Sequence, residues 1–171
     1  PPRVTELLLG LSRGAHCVVN AATYRDLEVF VRALLEAEAR GKLFRFVVNG
    51  AEVEPEWDGG RISLPGSLLA ERNEIRIAYE RAYDHTGEGF HQFFDPEDGA
   101  EYIYSQFEPY SAHRLFPCFD QPDLKATYRV SVSAPADWAV VSAGAELDRQ
   151  ALPDGRTRRL FAETLPFSTY L

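Results

Sequence analysis

The chain contains 171 residues, 45% of them hydrophobic and 26% charged, which is enough for one compact domain with its own core. Its formal net charge of -8 argues against binding to nucleic acids or anionic membranes, because both need a basic surface. No apolar run approaches the ~20 residues that span a bilayer. We therefore expect a cytoplasmic monomer without a membrane or nucleic-acid partner.

The first 42 residues carry the weakest structural signal. Residues 24–31 alternate in a way that predicts a strand, whereas residues 32–40 consist almost wholly of strong helix formers. For residues 32–40, a short helix and a continued strand both stay open. The chain starts with Pro1-Pro2 and contains no methionine, so we expect it to be a piece of a longer protein.

From residue 43 onward, turn signals recur about every 8–12 residues between short segments rich in β-branched and aromatic residues. Asn49-Gly50 is the clearest of them, because this pair favours a two-residue hairpin turn. Apolar residues at 75, 77 and 79 alternate with 74, 76 and 78, as in a half-buried strand. The pattern predicts strands at residues 43–48, 52–57, 61–64, 74–79, 101–108, 127–133, 139–142 and 159–163.

Many short strands separated by turns are typical of an all-β fold, here a two-layer antiparallel β-sandwich with few or no helices. We expect one such domain over residues 1–171. Cys17 and Cys118 lie far apart, and neither belongs to a paired metal or redox spacing. Two free thiols are therefore expected, with a single long-range disulfide as the alternative.

The most specific motifs lie close together. Residues 104–108 read Tyr-Ser-Gln-Phe-Glu, residues 113–122 read His-Arg-Leu-Phe-Pro-Cys-Phe-Asp-Gln-Pro, and Lys125-Ala126 follow. In this order and spacing they resemble the hallmark stretch of the bacterial aminopeptidase N family of zinc metallopeptidases. The resemblance covers residues 43–171 and fades over residues 1–42. It also includes residues 86–90, interpreted as a loop, and residues 135–142 and 168–171, interpreted as strands.

The resemblance implies a saddle-like amino-terminal domain whose partners are a peptide with a free N-terminus and the protein's own catalytic domain. It identifies Glu108 as the carboxylate that binds the peptide's α-ammonium, and Gln106 as a donor and acceptor near the first peptide group. In a strand from 101 to 108, both residues share a face with Tyr102 and Tyr104. By spacing alone, Gln106 and Glu108 better suit the solvated face of an edge strand, and the family resemblance reverses this interpretation.

A second group of polar residues is interpreted as structural rather than catalytic. Pro117 and Pro122 predict a rigid, irregular crossing rather than a strand, because proline removes a backbone donor and restricts the preceding residue. Within and beside this crossing we expect an ion-pair and turn-capping set that supports the Gln106 strand. Its members are Arg114, Asp120 and Lys125.

The family's reaction needs a zinc ion held by His-Glu-x-x-His and a later Glu. The four histidines here are His16, His85, His91 and His113, and none has a second histidine at the i+4 spacing. Glycines at 87 and 89 favour a loop between the middle two, whose spacing matches no zinc pattern. We therefore expect no metal and no catalytic residue in this chain, which alone would be inactive, with zinc bound by the missing catalytic domain.

Two other functions remain open. One is a stand-alone β-sandwich module that binds protein or sugar through the face containing Tyr102, Tyr104, Gln106 and Glu108. The other is a non-catalytic relative that keeps the architecture as an assembly platform but lacks the zinc ligands. Reading the parent gene beyond Leu171 would separate both from a peptidase.

Overall fold

A computed structural model describes residues 4–11, 15–21, 30–31, 41–54, 56–57 and 62–171. The predicted strand at 24–31 lies mostly outside these residues, as does the whole of the ambiguous segment 32–40. The side chain of Cys17 is also outside them. No helix in the described part is long and apolar enough to cross a bilayer.

The described residues form thirteen strands and two single-turn 3-10 helices, at Gly66–Leu68 and Ala112–Arg114. The strands are β1 (Val4–Leu11), β2 (Ala15–Ala21), β3 (Phe30–Val31), β4 (Gly41–Val48), β5 (Ala51–Glu52), β6 (Glu56–Trp57), β7 (Ile62–Ser63), β8 (Ile75–Arg81), β9 (Gly89–Phe94), β10 (Glu101–Gln106), β11 (Thr127–Pro135), β12 (Glu146–Ala151) and β13 (Arg156–Phe161).

Eight strands form one large sheet in the order β12-β13-β11-β1-β2-β8-β4-β5. Strands β9 and β10 form a separate hairpin, and β3, β7 and β6 form a small third sheet. Within these described sheets, neighbours pair antiparallel except β1 and β11, which are parallel. The predicted all-β class with antiparallel sheets is confirmed.

Local turn chemistry explains the β4–β5 hairpin. Asn49 and Gly50 both have positive φ, 50° and 85°, as a type I′ turn requires. The Asn49 side chain donates to the Leu68 carbonyl at 2.9 Å and accepts from the Glu74 backbone N–H at 2.8 Å. The same residue that makes the turn therefore ties it to the loop before β8.

The core lies against one face of the large sheet. In β8, Ile75, Ile77 and Tyr79 are buried and Arg76 is exposed, which confirms the predicted alternation. Alternate residues of β11 also enter the core, and the Tyr79 hydroxyl donates to the Leu115 carbonyl. This bond joins the large sheet to the segment between β10 and β11.

Several predicted strands differ from the observed ones. The predicted strand at 52–57 is observed as two short strands in different sheets. Glu52 belongs to β5, which pairs with β4, whereas Glu56 belongs to β6, which pairs with β7. Residues 139–142 are irregular rather than a strand. Just before them, the backbone carbonyls of Ala136 and Trp138 accept hydrogen bonds from the buried Arg159 side chain. Residues 168–171 are also irregular, next to a single bridge between Ala126 and Phe167.

Four observed strands were not predicted, namely β1, β2, β9 and β12. Strand β9 includes part of the segment 86–90 that was interpreted as a loop. The two positive-φ glycines of this segment, at 87 and 89, lie just before and at the start of β9. Glycine spacing alone does not distinguish these two structures.

Candidate functional site

The β9–β10 hairpin positions the residues that the motif singles out. Gln106 is the last residue of β10 and lies opposite Gly89 of β9. Tyr104 lies opposite His91, and Tyr102 opposite Phe93. Because side chains alternate along a strand, Gln106 shares one face with both tyrosines.

Strand β10 ends at Gln106, two residues before Glu108. The predicted strand at 101–108 is therefore too long, because Phe107 is buried and the chain turns over residues 107–111. Glu108 lies in this turn, in a cis peptide bond with Pro109. Within the described part of the chain, neither the Gln106 nor the Glu108 side chain makes a hydrogen bond or an ion pair, and both are exposed.

The turn that carries Glu108 is fixed at both ends. The Ser111 backbone N–H donates to the Phe107 carbonyl at 2.8 Å, and the Phe107 ring packs edge-on against Phe116 at 6.1 Å. The Tyr170 hydroxyl donates to the Pro109 carbonyl at 3.2 Å. These contacts hold the backbone on either side of Glu108 while its carboxylate faces outward.

A buried polar chain of His113, Asp120 and Thr169 lies next to the far side of the turn. The Tyr110 ring lies 4.4 Å from the ring of His113, whose Nδ1 is 2.6 Å from the Asp120 carboxylate. Asp120 also accepts from the His113 backbone N–H at 3.1 Å and from the Thr169 hydroxyl at 3.0 Å. Burial raises the pKa of Asp120, but the hydrogen bonds from His113 and Thr169 outweigh it and leave that pKa below its ordinary value.

No hydrogen bond or ion pair joins the three predicted support residues to one another in the described structure. Arg114 lies 3.6 Å from the Glu88 carboxylate, whereas Asp120 bonds to His113 and Thr169. Lys125 is exposed, and its backbone N–H donates to the Asp123 carbonyl at 3.1 Å. Their role in supporting the site stays a prediction, with Asp120 the one that the contacts join most directly to the Glu108 turn.

Sequence reasoning did not identify His113, Thr169 or Tyr170 as support residues. His113 lies inside the recognised motif, so its position offered a signal. Thr169 and Tyr170 lie 49 and 61 residues from their partners Asp120 and Pro109. No local pattern links residues so far apart.

Four rings, three of them exposed, form a row on the face that also contains Gln106. We call His91, Phe93, Tyr102 and Tyr104 the aromatic ladder. Ring centroids are 5.1 Å apart for His91 and Tyr104, and 5.1 Å apart for Phe93 and Tyr102. Such cross-strand aromatic pairs stabilise a two-stranded sheet.

The histidines that could suggest a metal site are engaged otherwise. His85 Nδ1 donates to the Gln92 carbonyl at 2.9 Å, and His91 Nδ1 accepts from the Gly87 backbone N–H at 3.0 Å. Among the described residues, no three His, Cys, Asp or Glu side chains group as metal ligands. The donor set around His85 and His91 does not fit a zinc ion.

Cys118 is a free, buried thiol. Burial, and secondarily the negative charge of Asp120, raise its pKa well above the ordinary value. A thiol in this state is a poor nucleophile.

Known proteins share both the sequence and the fold. Aminopeptidase N from Streptomyces lividans is 52% identical over 82 residues, covering 48% of this chain and 10% of that protein. Probable M1 family aminopeptidase 1 from Encephalitozoon cuniculi is 35% identical over 127 residues, covering 70% and 14%. The chain thus spans about a seventh or less of the length of these relatives.

A solved structure, the M1 zinc metallopeptidase from Deinococcus radiodurans, superposes with a TM-score of 0.73 at 21% identity, covering 99% of this chain and 40% of that one. At this identity the likeness establishes the fold. The sequence model of the Peptidase M1 N-terminal domain matches residues 25–171, beginning upstream of residue 43. The resemblance inferred from the motifs is confirmed, and the chain belongs to the Peptidase M1 N-terminal domain family.

Proposed function

We propose that this chain is the substrate-anchoring domain of a zinc-dependent aminopeptidase that removes N-terminal residues from peptides. The supporting observation is the state of Glu108, an exposed carboxylate without a partner among the described residues, on a turn whose backbone is fixed on both sides. A charged group held in this way is available to a ligand. Gln106, exposed and equally unpartnered within the described part, precedes it on the adjoining strand.

The chemistry of the two side chains suits a peptide's amino terminus. The Glu108 carboxylate accepts charge-assisted hydrogen bonds from an α-ammonium group. The Gln106 amide can donate to a peptide carbonyl and accept from a peptide N–H. An internal peptide segment offers no cation, so it lacks this charge-assisted contact, which contributes about 1.5–3 kcal/mol.

The reaction itself requires residues outside this chain. In the full-length enzyme, zinc would activate a water molecule and polarise the scissile carbonyl. The residues described here bind and orient the substrate. The isolated chain is accordingly expected to hydrolyse nothing.

The test uses the full-length protein that contains this chain, with aminoacyl-coumarin substrates. Glu108→Ala should lower kcat/KM by about 10- to 150-fold, and Glu108→Gln should recover only part of the loss because it restores shape without charge. Glu54→Ala is the matched control, since Glu54 is also exposed and unpaired among the described residues. Kinetics unchanged by Glu108→Ala would refute the anchoring role.

The same preparation tests the remaining alternatives. A stand-alone interaction module or a non-catalytic relative predicts no hydrolysis by the full-length protein, even with zinc supplied. Turnover by the isolated 171-residue chain would contradict the division of labour between anchoring and catalytic domains.

A further inference from the structure

The aromatic ladder is exposed and yet held in place. Phe93, Tyr102 and Tyr104 are 36%, 42% and 44% exposed. Each end of the ladder is fixed by a hydrogen bond. The His91 ring accepts from the Gly87 N–H at 3.0 Å, and the Tyr102 hydroxyl donates to the Asp98 carboxylate at 2.7 Å. Contiguous exposed aromatic surface of this kind marks a binding surface more often than a solvated face.

The ladder continues the line of the proposed anchor. A strand rises by about 3.4 Å per residue, which puts Tyr104 about 7 Å and Tyr102 about 14 Å along β10 from Gln106. An extended peptide has the same rise. Suppose that the first peptide group of a bound peptide lies at Gln106. The side chain two residues later then lies near Tyr104, and the side chain four residues later lies near Tyr102.

We infer that the aromatic ladder binds the side chains of about the third and fifth residues of a peptide substrate whose α-ammonium group is bound by Glu108. This inference rests on the proposed function and adds a preference for sequence beyond the cleaved bond. His91 and Tyr104 contact the nearer side chain, and Phe93 and Tyr102 the farther one.

The chemistry of the surface defines the preferred peptide. Aromatic side chains stack on exposed rings, and cationic side chains bind ring faces. Three carboxylates, those of Asp95, Glu97 and Asp98, lie in the turn between β9 and β10 at the far end of the ladder. Peptides with aromatic or basic residues at these two positions are therefore preferred, and acidic ones are disfavoured.

The experiment uses the full-length protein and compares kcat/KM for Leu-Ala-Phe-Ala-Phe, Leu-Ala-Ser-Ala-Ser and leucyl-coumarin. We expect the phenylalanine peptide to be preferred over the serine peptide by about tenfold. The double variant Tyr102→Ser with Tyr104→Ser should reduce this ratio to near one, chiefly by raising KM for the phenylalanine peptide. Phe94→Ser is the matched control, because Phe94 is 64% exposed on the opposite face of the same hairpin.

The outcomes separate this inference from the proposed function. A wild-type enzyme without the preference, or a Phe94→Ser variant that loses it equally, overturns the ladder proposal. So does a double variant that slows all three substrates alike, because the preference for the phenylalanine peptide is then unchanged. If the ladder fails while Glu108→Ala still impairs leucyl-coumarin cleavage, the anchor stands. If Glu108→Ala has no effect, both proposals fall.

Discussion

The two segments on either side of Glu108 differ in regular structure and in exposure. The β9–β10 hairpin pairs with no strand of the large sheet in the described structure and exposes four aromatic rings, together with the unpartnered side chain of Gln106. The segment from 112 to 126 has no strand of its own, yet it contributes Leu115, Phe116 and Cys118 to the core. The regular hairpin thus presents Gln106 and the aromatic ladder at the surface, whereas the irregular segment packs into the core.

The difference shows where each segment's stability arises. The hairpin depends on its own cross-strand pairs, whereas the irregular segment depends on distant partners such as Tyr79 and Thr169. A substitution in the buried segment should therefore disturb the whole domain. One on the exposed face of the hairpin should affect binding and cost no more stability than one cross-strand pair, about 0.2–1 kcal/mol.

The largest expected effect comes from two phenylalanines, one in each segment. Phe116 is 1% exposed, and Phe116→Ala should reduce the free energy of unfolding by about 3–5 kcal/mol through loss of apolar burial and creation of a cavity. Phe94→Ala should change it by less than about 0.5 kcal/mol. Urea unfolding monitored by tryptophan fluorescence measures both. Equal losses of unfolding free energy in the two variants would show that the two segments contribute equally to stability.

The second-largest loss of stability is expected when the buried carboxylate of Asp120 is removed. Asp120→Ala leaves the His113 N–H groups and the Thr169 hydroxyl without their acceptor, at a cost of about 2–4 kcal/mol in the free energy of unfolding. The same urea experiment measures it, with Asp123→Ala as the control because Asp123 is exposed. A loss no larger than that of the control would show that the polar chain does not support the domain.

Gly89 begins the hairpin, and a Cβ added to it would lie 3.2 Å from Arg114 Cδ in the irregular segment. Replacement of Gly89 should therefore have an intermediate effect. Its φ is +78°, and an added Cβ would lie 2.3 Å from the Asp84 carboxylate. Gly89→Ala should cost about 2–3 kcal/mol in unfolding free energy, from backbone strain and steric overlap together. Gly99→Ala isolates the backbone part, because Gly99 also has a positive φ but no atom within 4 Å of the added group. Thermal unfolding that is equal for both variants would contradict the overlap.

The smallest effect concerns pH. The pKa of Asp120 is below its ordinary value in the folded protein, so its ionised form contributes stability at neutral pH. That contribution disappears as the pH falls through the folded-state pKa. Between about pH 5 and acid unfolding, the wild type should lose more stability than Asp120→Asn, which has no carboxyl proton to gain. Parallel loss in both proteins would assign the acid sensitivity to other carboxyl groups.

Features that depend on neighbouring residues were predictable from the sequence. The alternation in β8 and the positive-φ turn at Asn49-Gly50 follow from side-chain period and backbone sterics. The motif around Gln106 and Glu108 identified the family, because it depends on residue order. The irregular crossing between β10 and β11 also follows locally, from the prolines at 117 and 122.

Only the tertiary structure decided which distant segments meet. The parallel pairing of β1 with β11 joins residues more than a hundred positions apart, and the end of β10 at Gln106 follows from the burial of Phe107 against Phe116. Asp120 bonds to His113, whose ring packs against Tyr110 of the Glu108 turn, and to Thr169, 49 residues away. Periodicity and propensity act over a few residues, whereas these contacts arise from burial and hydrogen-bond satisfaction between segments that the folded chain brings together.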